Sequence, residues 1–168
     1  MSLPLIITLF RLFLTIPTLY LLEEDRRVLA SMVVLVAGLS DWLDGELARR
    51  NKRTSQIGLL LDPLVDKIFV LSVLSFFLYR QEIELIPYVL LIVRELSVSF
   101  LRSLSVEKGY AMPASYLGKA KAFFEFITLL ALSYNYSQSQ ILLWISVLLA
   151  YASMYDYLIK YLSYEGGR

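Results

Sequence analysis

The sequence contains no cysteine and no histidine. Their absence excludes disulfide bonds, thiolate nucleophiles, zinc sites of the Cys/His kind and imidazole acid–base chemistry. Charge is scarce as well: 18% of the residues are Asp, Glu, Lys or Arg, against about 25% in an ordinary soluble domain. The net charge of +1 gives no case for a nucleic-acid partner, whose phosphates call for a basic surplus. What fills the chain is apolar. Of 168 residues, 58% are hydrophobic, and the mean hydropathy is +0.62. A soluble domain of this size has no place for so many apolar runs, so the solvent that this chain meets is itself apolar. Chemistry must then come from carboxylates, Lys, Arg, hydroxyls and a metal bound through oxygen.

A membrane-spanning helix needs about 20 mainly apolar residues. Six stretches qualify: 3–22, 28–49, 58–79, 85–104, 117–134 and 141–162. The first is interrupted by Arg11 and Pro17; without a basic start or a small-residue cleavage site it does not read as a signal peptide. The connectors alternate in charge. Residues 49–56 carry Arg49, Arg50, Lys52 and Arg53 with no acid, and 102–121 carry Arg102, Lys108, Lys119 and Lys121 against Glu107 alone. The other connectors are mixed, acidic or uncharged. Lys and Arg collect in cytoplasmic loops. The expected architecture is therefore an all-α integral membrane protein, residues 1–168 forming a single domain. It has six transmembrane helices, both termini in the cytoplasm, and the two basic connectors on the same side.

Four acids stand where apolar residues are the rule. Asp41 and Asp44 close the second run, and Asp62 and Asp66 open the third. Spacings of three and four put each pair on one face of its helix. A short loop between antiparallel neighbours brings the pairs together, and four like charges in a partly dehydrated cleft repel. A hard divalent cation, Mg²⁺, Mn²⁺ or Ca²⁺, removes that repulsion through oxygen ligands. Intramembrane acids are functional candidates by default; the alternative is plain solvation of helix ends. Gly45 and Ala48 are small residues on the face that carries the acids, where a ligand or a neighbouring helix can come close.

Written out, the segment is Asp41-x-x-Asp44-Gly45-x-x-Ala48-Arg49, eight residues, Gly58, three residues, Asp62, three residues, Asp66. It resembles the signature of the CDP-alcohol phosphotransferase family at every fixed position. Further segments resemble one branch, the phosphatidylglycerophosphate synthases. These are Asp62-Pro63-Leu64-Val65-Asp66-Lys67, Thr8 to Arg11 followed by Pro17, Arg94-Glu95 through Arg102, and Gly118-Lys119-Ala120-Lys121. The chain departs from the branch at Leu5, where Asn is usual, and at Ala122 and Glu125, where Thr and Gln are usual.

The resemblance implies six transmembrane helices, a homodimer and a polar active-site cavity facing the cytoplasm of a bacterial-type plasma (inner) membrane. The implied reaction displaces CMP from CDP-diacylglycerol by an alcohol hydroxyl, with Mg²⁺ or Mn²⁺, two ions, as cofactor. By resemblance Asp41, Asp44 and Asp62 are metal ligands, and Asp66 is the general base and touches a metal. Gly45, Ala48, Arg49, Ser55, Gly58 and Thr8 face CDP-diacylglycerol, with Arg able to fork onto the pyrophosphate as Lys does not. The acceptor implied by the branch is sn-glycerol 3-phosphate. The cations available for its phosphate are Arg94, Arg102, Lys119 and Lys121. Arg94 has the alternative of an ion pair with Glu95 or Glu125, and Lys119 and Lys121 that of interfacial anchors. Other acceptors (inositol phosphate, serine, phosphatidylglycerol) fit the same chemistry, and a cation transporter using the acidic cluster is the reading from a different class. The remaining contacts are with membrane lipids.

Overall fold

The structure, a computed structural model, describes the backbone of residues 3–51, 56–110, 112–113 and 115–166, and the side chains of these except 3–8, 41–51, 56–63, 66 and 166. Each apolar run becomes one helix: α1 (Leu3–Glu23), α2 (Arg27–Asn51), α3 (Gln56–Tyr79), α4 (Leu85–Glu107), α5 (Tyr116–Ser133) and α6 (Ser139–Gly166). There is no strand among the described residues. The helix ends differ from the apolar runs by about one turn at most, because hydrogen bonding continues into the polar flanks where hydropathy has already stopped.

Local chemistry explains the boundaries. Pro17 lies inside α1; next to it the buried Thr18 donates its hydroxyl to the Leu14 carbonyl at 2.7 Å. Pro87 sits in the first turn of α4, where its missing N–H has no acceptor to lose. Ser115 caps α5: its Oγ accepts the Gly118 N–H at 2.9 Å. α1, α3, α4 and α5 close in the same way. A residue at positive φ (Asp25, Gln81, Gly109, Asn135) donates its N–H three residues back, and the next residue donates five back, as Arg26 to Leu21, Glu82 to Phe77, Tyr110 to Ser105 and Tyr136 to Ala131. This pair of hydrogen bonds satisfies carbonyls that helix ends otherwise leave open.

The chain divides into two units. The first is Met1–Glu82 with Leu129–Ser137. Within it α1 packs on α2 and on α3, and Ala30, Val34, Ala37, Val65, Phe69 and Phe77 are buried. Alanines at two of these positions let helix backbones approach closely. The second unit is Ile83–Thr128 with Gln138–Arg168, and α4 packs on α6 there. Val98, Met112 and Tyr157 form its small apolar core.

Both units turn large apolar side chains outward. Phe13 and Ile16 are 67% exposed, Phe100 66% and Leu148 68%. Among the described residues, Ser139–Glu165 is the one helix long and apolar enough to cross a membrane by length and composition. α4 is interrupted by Arg94, Glu95 and Arg102, and α5 by Lys119, Lys121 and Glu125.

Candidate active site

In the first unit α2 continues as helix through Asn51, and α3 begins at Gln56. The eight-position motif therefore occupies the end of one helix and the start of the next. On those helices the spacings of three and four keep Asp41 with Asp44, and Asp62 with Asp66, on common faces. The side chains of Thr8, Asp41, Asp44, Ala48, Arg49, Asp62 and Asp66 lie outside the described ones, as do Gly45 and Gly58 beyond their helical backbone. Ser55 lies outside the described residues altogether. Among the described residues no group of three His, Cys, Asp or Glu could hold a metal; the four aspartates of the motif offer oxygen donors only. All-oxygen donors of this kind fit a hard divalent ion.

The scaffold on either side of the motif is well packed. Val34 and Ala37 precede Asp41 on α2, Val65 and Phe69 flank Asp66 on α3, and all four are at most 2% exposed. Arg11 on α1 is 1% exposed. It closes the Thr8 to Arg11 segment, for which the resemblance implies no role at Arg11. An arginine in the middle of an apolar run is itself the signal that places it among the functional candidates.

At the start of α2, Arg27 forks onto Glu82, with Nη1 to Oε2 at 2.8 Å and Nη2 to Oε1 at 2.5 Å. Its Nε donates to Asp25 at 3.0 Å. The hydrogen bonds to Glu82, opposed by partial burial, raise the pKa of Arg27 above the ordinary arginine value. This pair ties the α1–α2 turn to the end of α3.

In the second unit the expected phosphate-binding cations separate into two kinds. Arg94 and Lys121 are buried in an ion cluster. Arg94 Nη1 donates to Glu95 Oε1 at 2.5 Å, its Nε to the Ala150 carbonyl at 2.9 Å, and its Nη2 to the Ser153 hydroxyl. Lys121 Nζ lies 2.6 Å from Glu95 Oε1 and 2.6 Å from Glu125 Oε2. The cluster joins α4 to α5 and, through Arg94, to α6. The ion-pair alternative for Arg94 is the arrangement present, and Ser153 of α6 is a further partner that no local pattern singles out.

Arg102 and Lys119 are of the other kind. Arg102 is half-buried, 6.0 Å from the centre of the Tyr157 ring, and Lys119 is exposed, 5.8 Å from that of Tyr116. Neither has a carboxylate partner among the described residues. Tyr157 also organises the start of α5: its hydroxyl accepts the Ser115 N–H at 3.2 Å. A methyl at Gly118 would stand 3.3 Å from that hydroxyl and 3.2 Å from Ser115 Oγ, so the glycine of the Gly118-Lys119-Ala120-Lys121 segment is matched to a tight contact.

A family model described as CDP-alcohol phosphatidyltransferase matches residues 1–152. The relatives include proteins named CDP-diacylglycerol–glycerol-3-phosphate 3-phosphatidyltransferase. The one from Haemophilus influenzae is 32% identical, covering 94% of this chain and 91% of its own. That of Pectobacterium atrosepticum is 31% identical, covering 94% and 93%, and that of Rickettsia bellii 30%, covering 83% and 82%. The chain belongs to the CDP-alcohol phosphatidyltransferase family. It is thus a transferase of phospholipid biosynthesis, and the transporter reading of its acids falls away.

Proposed function

We propose that the chain transfers the phosphatidyl group of CDP-diacylglycerol to sn-glycerol 3-phosphate, giving phosphatidylglycerophosphate and CMP. The observation that carries the reading is the complete motif from Asp41 to Asp66, set across the α2–α3 boundary of a family member. The named activity of the relatives supports the choice of acceptor.

In this reading Asp41, Asp44, Asp62 and Asp66 hold the divalent metal of the family, Mg²⁺ or Mn²⁺, as two ions. When bound, the metal neutralises the pyrophosphate. Gly45, Ala48, Arg49, Ser55, Gly58 and Thr8 contact CDP-diacylglycerol, Arg49 by a fork onto phosphate oxygens. Asp66 takes the proton of the acceptor hydroxyl. The freed oxygen attacks the lipid-bearing phosphorus as the bond to CMP breaks, and positioning together with charge supplies most of the rate. Arg102 and Lys119, which have no carboxylate partner among the described residues, hold the acceptor phosphate. Arg94 and Lys121 are instead paired with Glu95 and Glu125. The chain works as a six-span, membrane-embedded homodimer. Its cavity and both termini face the cytoplasm, as the basic connectors favour.

The test is purification in detergent followed by a screen of radiolabelled acceptors with CDP-diacylglycerol and Mg²⁺ or Mn²⁺. Phosphatidylglycerophosphate and CMP should form in equal amounts. A higher kcat/KM with another alcohol would replace the acceptor and leave the family chemistry in place.

A further inference from the structure

We propose that Glu125 sets the enzyme's affinity for its phosphorylated acceptor by holding the buried Arg94–Lys121 pair electrically neutral. The proposal rests on the phosphatidyl-transfer reading above and deepens its acceptor site. Arg94, Glu95, Lys121 and Glu125 are each at most 6% exposed. Two cations face two carboxylates, and the contacts run Arg94 to Glu95 at 2.5 Å, Glu95 to Lys121 at 2.6 Å and Lys121 to Glu125 at 2.6 Å. With all four groups ionised, the cluster carries no net charge.

Packing alone does not account for a carboxylate at position 125. Only Oε2 has a partner; Oε1 is buried with none among the described residues. A buried, unmatched carboxylate oxygen is costly. A glutamine, which is usual in the branch that the sequence resembles, would keep an oxygen for Lys121 Nζ and bury no negative charge. What Glu125 adds is therefore electrostatic. Without its charge the cluster would hold Arg94, Lys121 and one carboxylate, a net charge of +1 in a weakly screened interior. Such a charge attracts a phosphorylated acceptor from several ångströms away. With Glu125 ionised, acceptor binding is left to Arg102 and Lys119 alone. The carboxylate makes the site less retentive toward phosphate.

The test is Glu125→Gln in the full chain, purified in detergent. The readouts are KM for glycerol 3-phosphate, KM for CDP-diacylglycerol, kcat, and inhibition by inorganic phosphate. We expect KM for glycerol 3-phosphate to fall at least about threefold, inhibition by phosphate to strengthen in parallel, and KM for CDP-diacylglycerol to stay put. An unchanged or raised acceptor KM overturns the proposal. The double variant Ala122→Thr with Glu125→Gln, which restores both usual residues of the branch, guards against a packing defect and is read in the same way. If neither variant folds, the charge is structural and the proposal is overturned. A wild-type chain that fails to use glycerol 3-phosphate would instead defeat the functional reading itself.

Discussion

Each unit holds an arginine against a glutamate, in opposite surroundings. In the first unit Arg27 and Glu82 meet at the mouth of a turn, with side chains 18% and 23% exposed. In the second, Arg94 and Glu95 are 5% and 4% exposed and joined by a further Lys–Glu pair. The first pair keeps water nearby, so forming it gains little and losing it costs little. The second has given up its hydration entirely, so each member depends on the others. A second contrast runs alongside. The four conspicuous acids of the first unit outnumber the one lysine beside them, Lys67, and in the proposed function they hold metal. The acids of the second come with cations one residue and one turn away, which suits packing.

The largest expected effect tests the first half of that contrast. Asp66→Asn should lower kcat at least about a hundredfold, the scale of losing a general base, while CDP-diacylglycerol binding is retained. Chelation should abolish CMP release, and Mg²⁺ or Mn²⁺ should restore it. Asp41→Asn should weaken metal and CDP-lipid binding together. Near wild-type turnover in both variants would remove the metal-and-base assignment.

The buried cluster gives the next largest effect, on stability. Arg94→Ala strips donors from Glu95, the Ala150 carbonyl and Ser153 at once. Removing one member of a buried ion pair costs about 3–5 kcal/mol, so thermal unfolding in detergent should shift strongly downward. KM should change alike for both substrates in whatever fraction remains folded. A selective rise in the acceptor KM with unchanged Tm would mean that Arg94 grips the acceptor phosphate directly. Against this, Arg27→Lys keeps the charge and loses the fork onto Glu82, and should cost only about 1 kcal/mol. The sign with pH follows from the raised pKa of Arg27. Its contribution is fully present below the ordinary arginine pKa and is lost only as pH climbs through the higher, folded value. Tm differences between wild type and Arg27→Lys should therefore not come from arginine titration anywhere between pH 6 and 9.

The six helices were legible in the sequence, for physical reasons that did not reach further. Six apolar runs became six helices because hydropathy and helix length answer to the same solvent. Asp41 to Asp66 stood out because charge inside an apolar run demands explanation. The same rule marked Arg94 but could not say whether phosphate or glutamate answers it; Glu95 and Glu125 were visible as candidates, Ser153 and the Ala150 carbonyl were not. Those partners come from α6, and no one-dimensional spacing links residue 94 to 150 or 153. Tyr157 was hidden for a related reason. Among 12 tyrosines nothing local distinguishes the one whose hydroxyl meets the Ser115 N–H. Burial and carboxylate pairing separate Arg102 and Lys119 from Arg94 and Lys121, and neither is written in the sequence.

The smallest expected effect compares the two units through a feature they share. Two residues past the end of α3 stands Gln81 at φ 58°, and two past the end of α4 Gly109 at φ 82°, each closing its helix with the same pair of hydrogen bonds. A side chain in the left-handed region costs about 1–2 kcal/mol, while glycine gives back about 0.5–1 kcal/mol through the freedom of the unfolded chain. Gln81 is exposed, so Gln81→Gly gives up no packing and should stabilise by a few tenths of a kcal/mol to about 1 kcal/mol. Gly109 has open space where a Cβ would stand, so Gly109→Ala meets no clash and should destabilise by a similar amount for the conformational reason alone. Tm measured on the two variants and on their combination should move up, down and nearly not at all. If Gln81→Gly lowered Tm, a side-chain role at the end of α3 would outweigh the backbone, and the shared helix end would no longer be a shared energetic unit.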